Sequence, residues 1–449
     1  MNSSDTICAL ATATGGALGI IRISGPEAFS VVSSLCSVGC DAVAANTVHH
    51  THITDGSEVI DEAMVSIFRA PHSYTGEDAV EISCHGSRYI LNRVLELLIR
   101  NGCRMATPGE YTLRAYLNGK LDLSQAEAVA DLIASTNRAT HQMAMSQLRG
   151  NFSSQLAQLR ERLLRLTSLL ELELDFSDHE DLEFADRSEL QALAQEIATH
   201  IDRLARTFET GQALKLGVPV AIVGKTNVGK STLLNRLLHE DRAIVSDIHG
   251  TTRDTIEDTV DINGVTFRFI DTAGIRSTAD EVEQIGIERT YRAIQKARIV
   301  LWLIDTEPTV EDVEEMERRV AEKSLIIAYN KTDRNPVRLQ SIASHPVIPI
   351  SAKTGDRINE LEAAIYTAVD LPDLNENSFI VTNARHYDAL QRAHESIRQV
   401  LTGLNAGLSG DLLSEDLRQT LDILAEITGG QITPQETLNN IFQHFCIGK

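Results

Sequence analysis

The chain has 449 residues, 43% of them hydrophobic, and a formal net charge of −22 at pH 7. It is long enough for about two to four globular domains, and its acidic balance argues against a protein that wraps nucleic acid broadly, although a local basic patch or a partner can still hold RNA. Six cysteines are too sparse for a disulfide scaffold, no apolar run reaches the ~18 residues of a membrane span, and the start of the chain lacks a signal-peptide pattern, so we expect a cytoplasmic protein.

Residues 1–118 mix short strand-like runs with helical patterns. The apolar spacing of residues 19–23, 63–68 and 79–83 predicts three strands, and residues 89–99 carry a helical pattern. Together these patterns predict one compact α+β domain.

Two later segments, residues 119–214 and 377–449, have an almost purely helical pattern. Each carries an apolar stripe at steps of three and four residues and would form only a thin bundle by itself. We therefore expect the two segments to pack together as one discontinuous helical domain. The stripes consist of Leu156, Leu159, Leu163, Leu164, Leu166 and Leu170 in the first segment, and of Leu412, Leu417, Leu421, Ile423 and Leu424 in the second.

Between the helical segments, residues 215–376 alternate short apolar runs with helices and loops. This alternation is typical of a doubly wound, mostly parallel sheet. The predicted strands are residues 218–223, 267–270, 299–304, 325–328 and 347–350. The whole pattern predicts a multidomain α/β and α+β protein in which the α/β domain is inserted into the helical one.

The segment GKTNVGKS, residues 224–231, follows the first of these strands and opens a helix. This is the context of a phosphate-binding loop, whose glycines let consecutive backbone amides point at phosphates. In such a loop the lysine, here Lys230, neutralises the β- and γ-phosphate oxygens, and the hydroxyl of Ser231 is a ligand for Mg²⁺. The segment predicts a nucleoside triphosphate site.

Further segments select guanine and complete the site. Asp333, in NKTD at residues 330–333, can accept two hydrogen bonds from guanine that adenine cannot supply. SAK at residues 351–353 closes the other side of the base. DTAG at residues 271–274 can sense the γ-phosphate, and a threonine of GTTRD at residues 250–254 completes the magnesium shell. The order of these segments predicts GTP binding.

Catalysis needs an uncommon device, because Ile275 stands where Ras-like GTPases carry the glutamine that orients water. An arginine finger is one alternative. A second is a potassium ion at Asn227, whose side-chain oxygen suits a monovalent cation. Glu283 is the best-placed acid for acting on water, and the competing interpretation is a solvated carboxylate at a helix start. The residues alone leave these alternatives open.

Over essentially its whole length the chain resembles the MnmE-type tRNA modification GTPases. The resemblance is carried by the domain order, by GTTRD at residues 250–254, by DEVEQIGIER at residues 280–289 and by FCIGK at residues 445–449. It implies an N-terminal folate-binding and dimerisation domain, a discontinuous helical domain and an inserted Ras-like P-loop GTPase domain. The implied activity is potassium-stimulated GTP hydrolysis, activated by dimerisation of the GTPase domains, that drives addition of a carboxymethylaminomethyl-type group to C5 of the wobble uridine of certain tRNAs.

The resemblance also implies cofactors and partners. The cofactors are GTP, Mg²⁺, K⁺ and a tetrahydrofolate derivative in its 5,10-methylene or 5-formyl form, with FAD and NADH brought by a partner subunit. The implied assembly is a homodimer that joins an FAD-dependent subunit of the MnmG (GidA) type in a heterotetramer or larger complex. It meets tRNA mainly through that complex.

Individual site residues are carried over by matching the family's motifs to this sequence. The implied catalytic residues are Glu283 and Lys230. The implied Mg²⁺ ligands are Ser231 and Thr252, and the implied K⁺ ligands are Asn227, Ser246, Ile248 and Thr251. The implied folate contacts are Arg22, Glu81, Lys120 and Lys449, with Cys446 as a thiol of either chemical or positional role. The GTP-binding residues are Asn227, Val228, Gly229, Lys230, Ser231, Thr232, Ser246, Asp247, Ile248, His249, Gly250, Thr251, Thr252, Asp271, Thr272, Ala273, Gly274, Asn330, Lys331, Thr332, Asp333, Ser351, Ala352 and Lys353.

Two other classes of GTPase fit parts of the sequence. An Era-like regulatory RNA-binding GTPase of ribosome assembly would carry a basic RNA module such as a KH domain, whereas the C-terminal block is helical and acidic. A heterodimerising targeting GTPase would need a methionine-rich apolar groove, and the chain has six methionines in all. Both alternatives explain less of the sequence than a tRNA modification GTPase does.

Overall fold

The structure is a computed structural model. It describes residues 5–175, 187–240, 258–270, 291–320, 323–335, 340–370, 379–430, 435–443, 445, 446 and 448. The chain forms two compact units, the first of residues 1–134, 147–198 and 392–449 and the second of residues 135–146 and 199–391. Both units contain helices and strands, so the predicted multidomain α/β and α+β class is confirmed. The predicted domain boundaries stay predictions.

The first unit contains a six-stranded sheet. Its strands are β1 (Ile7–Leu10), β2 (Leu18–Ser24), β3 (Thr47–Asp55), β4 (Glu58–Phe68), β5 (Ala79–His85) and β6 (Arg104–Met105). Their order across the sheet is β3-β4-β5-β2-β1-β6, with β1 and β6 parallel and the other neighbours antiparallel. The strands predicted at residues 19–23, 63–68 and 79–83 lie within β2, β4 and β5.

The two faces of this sheet differ in chemistry. Ile21, Ile82 and their neighbours on one face join α1 (Ala28–Leu35) and α2 (Arg88–Arg100) in an apolar core. Because side chains alternate along a strand, Arg22 and Glu81 lie on the opposite face. The sheet thus holds polar side chains on paired central strands.

Helices make up the rest of the first unit. Those wholly within it are α3 (Glu110–Leu117), α4 (Leu123–Ala134), α6 (Asn151–Asp175), α12 (Gly410–Thr428) and α13 (Gln435–Phe442). Three more, α5 (Arg138–Leu148), α7 (Arg187–Leu216) and α11 (Ala384–Asn405), contain residues of both units. Helix α12 packs against α6.

Most residues of the predicted apolar stripes on α6 and α12 are buried, but two assignments are wrong. Leu164 is 41% exposed and Leu412 is 56% exposed. Neighbouring helical residues point about 100° apart, so a residue at the margin of the buried stripe can turn to solvent while its neighbour faces the core. In both cases the neighbouring leucine, Leu163 or Leu413, is the buried one.

The second unit contains a seven-stranded sheet. Its strands are β7 (Val218–Val223), β8 (Asp258–Ile262), β9 (Val265–Phe269), β10 (Ile299–Ile304), β11 (Ser324–Tyr329), β12 (Ser341–Ile342) and β13 (His345–Pro349). Their order is β12-β13-β11-β10-β7-β9-β8, and the five central strands are parallel while β8 and β12 are antiparallel to their neighbours. The mostly parallel sheet is therefore confirmed.

Helices and two apolar clusters cover this sheet. The helices are α8 (Lys230–Glu240), α9 (Val310–Arg319) and α10 (Ile358–Thr367). The strands contribute alternate residues to two clusters, Val220 and Leu301 to one and Ala221 and Val300 to the other. In such a sheet ligands bind at the carboxyl ends of the strands. Within the described residues, no helix is long and apolar enough to cross a membrane.

Candidate functional site

The phosphate-binding loop connects β7 to α8, and two of its glycines are required by close contacts. Gly224 has φ 153°, and an added Cβ would lie 2.2 Å from the Leu303 carbonyl oxygen. Gly229 has φ 105°, and its added Cβ would lie 2.3 Å from Asn330 Nδ2. Asn227 is also left-handed, at φ 60°. A side chain at either glycine would displace backbone or a buried amide, so both glycines are needed for the loop to curl against the sheet.

Lys230 begins α8 and folds back over this loop. Its Nζ donates hydrogen bonds to the carbonyl oxygens of Gly224 at 2.6 Å and Lys225 at 2.9 Å. Burial lowers its pKa below the usual value, which is the expected effect of desolvating an ammonium group. Ser231, the predicted Mg²⁺ ligand, follows it and is exposed. The structure thus places the predicted lysine and serine together at the helix start.

The segments predicted to bind the base are joined to the phosphate-binding loop by a buried amide. Asn330 is 3% exposed, its Nδ2 donates to the Val228 carbonyl oxygen at 2.8 Å, and its Oδ1 accepts from the Ala352 amide at 2.9 Å. Ser351 Oγ donates to Asp333 Oδ1 at 2.9 Å. The NKTD and SAK segments therefore form one hydrogen-bonded unit with the loop, and the carboxylate predicted to read the base has a defined orientation.

Asp305 and Arg236, which the sequence analysis missed, brace this arrangement. Lys331 Nζ donates to the Asn227 carbonyl oxygen at 2.7 Å and to Asp305 Oδ2 at 2.7 Å. Asp305 directly follows β10, so its place at the carboxyl end of a parallel strand was an available signal. Arg236 on α8 donates to the Lys353 carbonyl oxygen at 2.7 Å, a contact for which the sequence carries no comparable signal.

The other predicted residues of this site lie outside the described residues. They are residues 246–252, residues 271–274 and Glu283. Of the predicted metal ligands, the structure describes Ser231 and Asn227. Both side chains carry an oxygen atom, the ligand type that hard cations prefer. Within the described part of the chain, no group of three or more His, Cys, Asp or Glu side chains could hold a metal ion.

A cavity of about 230 Å³ lies in the first unit. Its lining includes Arg22, Ser24, Tyr74, Thr75, Glu81 and Tyr111. Arg22 of β2 and Glu81 of β5 are direct partners in the sheet register, and Arg22 Nε donates to Glu81 Oε1 at 2.8 Å. Two residues predicted to contact folate are thus brought together, as an ion pair. The volume is below the ~300–1,000 Å³ of pockets for drug-sized ligands, so the cavity suits one ring system rather than a whole folate.

Two tyrosines that the sequence analysis missed form the walls of this cavity. The Arg22 guanidinium carbon lies 5.7 Å from the ring centroids of both Tyr74 and Tyr111. The Tyr111 hydroxyl donates to the Arg22 carbonyl oxygen at 2.7 Å. Burial raises the pKa of both tyrosines above the usual value, so both hydroxyls stay neutral near pH 7. The cavity therefore offers the ring of Tyr74 next to one carboxylate and one guanidinium, while the fully buried Tyr111 supports Arg22 from behind.

The remaining predicted folate contacts stand in different positions. Lys120 is exposed, donates to the Pro71 carbonyl oxygen at 3.0 Å and is not among the residues that line the cavity. Cys446 is exposed. Lys449 lies outside the described residues. The carbonyl oxygen of Gly448, the residue before it, accepts a hydrogen bond from Arg22 Nη1 at 3.1 Å. The structure therefore joins the terminal segment to the Arg22–Glu81 pair.

Comparison with known proteins identifies the family of the chain. The family model described as GTP-binding protein TrmE N-terminus matches residues 6–120, and that described as MnmE helical domain matches residues 123–446. The tRNA modification GTPase MnmE of Bacteroides thetaiotaomicron is 53% identical over 466 residues, covering 100% of both chains. That of Porphyromonas gingivalis is 50% identical, covering 100% of this chain and 98% of its own. The solved G domain of the T. maritima FeoB iron transporter covers 34% of this chain and 98% of its own, at 24% identity and a TM-score of 0.26. With two family models side by side along it and relatives of this similarity over its whole length, the chain belongs to the MnmE family of tRNA modification GTPases.

Proposed function

We propose that this chain is a GTP hydrolase whose turnover drives addition of a carboxymethylaminomethyl-type group to C5 of the wobble uridine of certain tRNAs. The observation that carries GTP as the nucleotide is Asp333, oriented by Ser351 and tied through Asn330 to the phosphate-binding loop. The Era-like alternative is disfavoured, because the full-length relatives are named tRNA modification GTPases.

Potassium and magnesium complete the proposed hydrolytic site. Ser231 and Thr252 would hold Mg²⁺, while Asn227, Ser246, Ile248 and Thr251 would hold K⁺. The K⁺ would supply the positive charge that other GTPases take from an arginine finger. Glu283 would act on the attacking water, either directly or through a second water. Lys230, at the start of α8, would meet the β- and γ-phosphates.

A comparison of salts tests this mechanism. GTP turnover is measured in KCl and in NaCl at equal ionic strength, for the native chain and for Asn227→Ala and Glu283→Ala. Turnover should rise sharply in KCl, and Asn227→Ala should flatten that response. Glu283→Ala should lower kcat by ~10² or more with little change in GTP affinity, as expected for a group that transfers protons. Equal rates in the two salts would remove the cation from the mechanism, and near-normal turnover in Glu283→Ala would leave that residue as a solvated carboxylate.

We propose that the cavity of the first unit binds the ring system of a tetrahydrofolate derivative in its 5,10-methylene or 5-formyl form. A carboxylate such as Glu81 can accept two hydrogen bonds from the donor edge of a pterin ring, and the ring of Tyr74 offers a face for stacking. Lys120 and Lys449 would meet the part of the ligand outside the cavity.

Binding of 5-formyltetrahydrofolate by isothermal titration calorimetry tests the folate site. The native chain should bind saturably, and Glu81→Ala should lose binding. Glu62→Ala is the matched control, because Glu62 is an exposed acid on the neighbouring strand β4. Equal binding by Glu81→Ala and the native chain would place the folate elsewhere.

The assembly is also a proposal. We propose a cytoplasmic homodimer that joins an FAD-dependent subunit of the MnmG (GidA) type, with FAD and NADH on that subunit and with tRNA bound mainly by the complex.

A further inference from the structure

The terminal segment is anchored in the helical part of the first unit by two phenylalanines. Phe442 is 3% and Phe445 is 9% exposed, with ring centroids 5.2 Å apart. They share an apolar cluster with Leu113 of α3 and Leu123 of α4. The burial of these two side chains therefore holds the backbone at residue 445 in place, and the last residues of the chain continue from there.

Two glycines then allow the segment to lie directly against other backbone. The Gly109 amide donates to the Cys446 carbonyl oxygen at 3.4 Å, and a Cβ at Gly109 would lie 2.8 Å from the Phe442 carbonyl oxygen. Gly448 has φ 93°, and its added Cβ would lie 2.6 Å from the Leu10 carbonyl oxygen. The seated segment therefore depends on the absence of a side chain at residue 448.

Arg22 connects this seated segment to the cavity. Its Nη1 donates to the Gly448 carbonyl oxygen at 3.1 Å, while its Nε and Nη2 both lie 2.8 Å from Glu81 Oε1. The guanidinium is flanked by Tyr74 and Tyr111, and the side chain is 19% exposed. Because a guanidinium is a planar, rigid fork, a shift of the Nη1 edge turns the Nε and Nη2 edge with it. The contact with Gly448 therefore helps to fix the direction from which Arg22 meets Glu81.

We propose that Arg22 is a positioning residue that couples the seating of the terminal segment to the orientation of the Glu81 carboxylate. Seating of the segment and binding of a ligand in the cavity then promote each other, and by linkage each raises the other's equilibrium by the same factor. The inference rests on the folate site proposed above, and it gives Arg22 a role other than a ligand contact.

A glycine pair tests the coupling at the level of ligand affinity. Gly448→Ala should raise the Kd for 5-formyltetrahydrofolate by ~10-fold, within the usual range of coupling between sites. Gly102→Ala is the matched control, because Gly102 is also left-handed, at φ 106°, but an added Cβ there would meet nothing within 4 Å. Unchanged affinity in Gly448→Ala would overturn the coupling, whereas a native chain that binds no folate would overturn the folate site instead.

A double-mutant cycle separates positioning from direct contact. If Arg22 transmits the effect, the affinity loss in Arg22→Ala with Gly448→Ala should be clearly smaller than the product of the two single losses. Two independent ligand contacts would give the full product, and that result would overturn the positioning role. Arg22→Lys, which keeps the charge but not the fork, should resemble Arg22→Ala.

Hydrogen exchange of the Gly109 amide reads the seating of the segment without any ligand. That amide donates to the Cys446 carbonyl oxygen, so release of the segment opens it to exchange with solvent. The exchange rate is measured by mass spectrometry with electron-transfer fragmentation. Arg22→Ala and Gly448→Ala should each raise the rate by at least ~5-fold in ligand-free protein, with Gly102→Ala at the native rate. Equal rates in all four proteins would show that Arg22 does not hold the segment and would overturn the proposal even if folate binds.

Discussion

At the scale of single residues, Asp333 is the side chain that we propose reads the base of the nucleotide in the second unit. Its carboxylate can accept from both donors on the Watson–Crick edge of guanine, and Ser351 Oγ holds it at 2.9 Å. A site built around hydrogen bonds rejects a base that leaves its polar groups unpaired far more strongly than an apolar pocket rejects a missing methylene. Base selectivity should therefore fall with one substitution.

Asp333→Asn should invert this selectivity. The amide puts a donor opposite the guanine amino group and should weaken GTP binding by ~10³-fold or more. Xanthosine triphosphate should gain affinity, because it has a carbonyl where guanine has the amine. Competition with a fluorescent guanine nucleotide measures both affinities. Ser351→Ala is the control: it removes the brace, worth about 1 kcal/mol, and keeps the carboxylate, so it should stay selective for GTP. A GTP-selective Asp333→Asn would mean that another residue reads the base.

At this scale, the parts of the site that could be predicted from sequence are those whose chemistry is local. Lys230, Asn330 and Asp333 stand at fixed spacings from strand ends, and the structure places Asn330 in contact with the loop that precedes Lys230. Their roles in binding stay predictions. Arg236 could not be predicted, because its role arises from a contact with Lys353, 117 residues away. Tyr74 and Tyr111 likewise acquire their roles only when a loop and a helix meet at the cavity.

Among the elements, α7 shows how close packing can outweigh helix propensity. Gly211 is buried in this helix, and an added Cβ would lie 2.1 Å from the Val381 carbonyl oxygen. The Val381 amide donates to Thr207 Oγ1, and Gln212 Nε2 donates to the Thr382 carbonyl oxygen. The glycine therefore lets α7 approach an extended segment closely enough to hydrogen-bond with it.

Gly211→Ala should destabilise the second unit although alanine is the better helix former. Propensity favours alanine by ~1 kcal/mol, but a clash with a hydrogen-bonded backbone cannot be relieved by a rotamer change. We expect a net loss of ~1–3 kcal/mol in the free energy of unfolding, measured by denaturant titration. Glu209→Ala, at an exposed position of the same helix, is the control and should stay near the native value. A stabilised Gly211→Ala would show that the approach is looser than the structure indicates.

The start of α3 gives an element-scale prediction for pH. Glu110 is 2% exposed and accepts from Arg104 at 2.6 Å, from the Thr107 amide at 2.8 Å and from Arg114 at 3.1 Å. Burial alone would raise its pKa, but these hydrogen bonds and charges outweigh burial and hold the pKa below the ordinary 4.5. A carboxylate with a depressed pKa contributes stability above its ordinary pKa, and that contribution is lost as the pH falls through the folded-state pKa.

Glu110→Gln should therefore be less stable than the native chain at pH 7, by ~3 kcal/mol, and should lose less stability on acidification below pH 4.5. Denaturant unfolding at pH 7 and at a series of lower pH values measures both effects. Glu62→Gln, at an exposed site on β4, should follow the native profile. An unchanged slope in Glu110→Gln would show that other carboxylates carry the acid sensitivity.

The success of strand and helix prediction followed the strength of the apolar pattern. Strands β7 and β10 coincide with their predicted ranges. Both lie inside a parallel sheet that is covered on its two faces, so their sequences are continuous apolar runs that are easy to recognise. Strand β3 was missed, because it lies at the edge of its sheet and its exposed positions carry His50 and His52. Strand β3 is held in the sheet by antiparallel pairing with β4, and the sequence of one local segment does not reveal such a pairing.

For the whole molecule, a formal charge of −22 governs how it meets tRNA. Non-specific binding of nucleic acid depends on cations that replace condensed counterions, and a chain with this charge repels phosphates over most of its surface. The proposed complex resolves the conflict, because the FAD-dependent subunit can supply the cationic surface. The chain by itself should then bind tRNA weakly.

Fluorescence anisotropy with labelled tRNA tests this division of labour. At physiological salt the chain alone should bind with a Kd weaker than ~1 μM, in the range of non-specific association. The mixture with the FAD-dependent subunit should bind more tightly than either protein alone, and the affinity of the mixture should fall between 50 and 200 mM KCl as counterion release requires. The control is tRNA binding by the FAD-dependent subunit alone, which shows how much of the affinity that subunit contributes. Sub-micromolar binding by the chain alone, with a steep dependence on salt, would instead locate a basic tRNA surface on this protein and would restore the RNA-binding role that its net charge argues against.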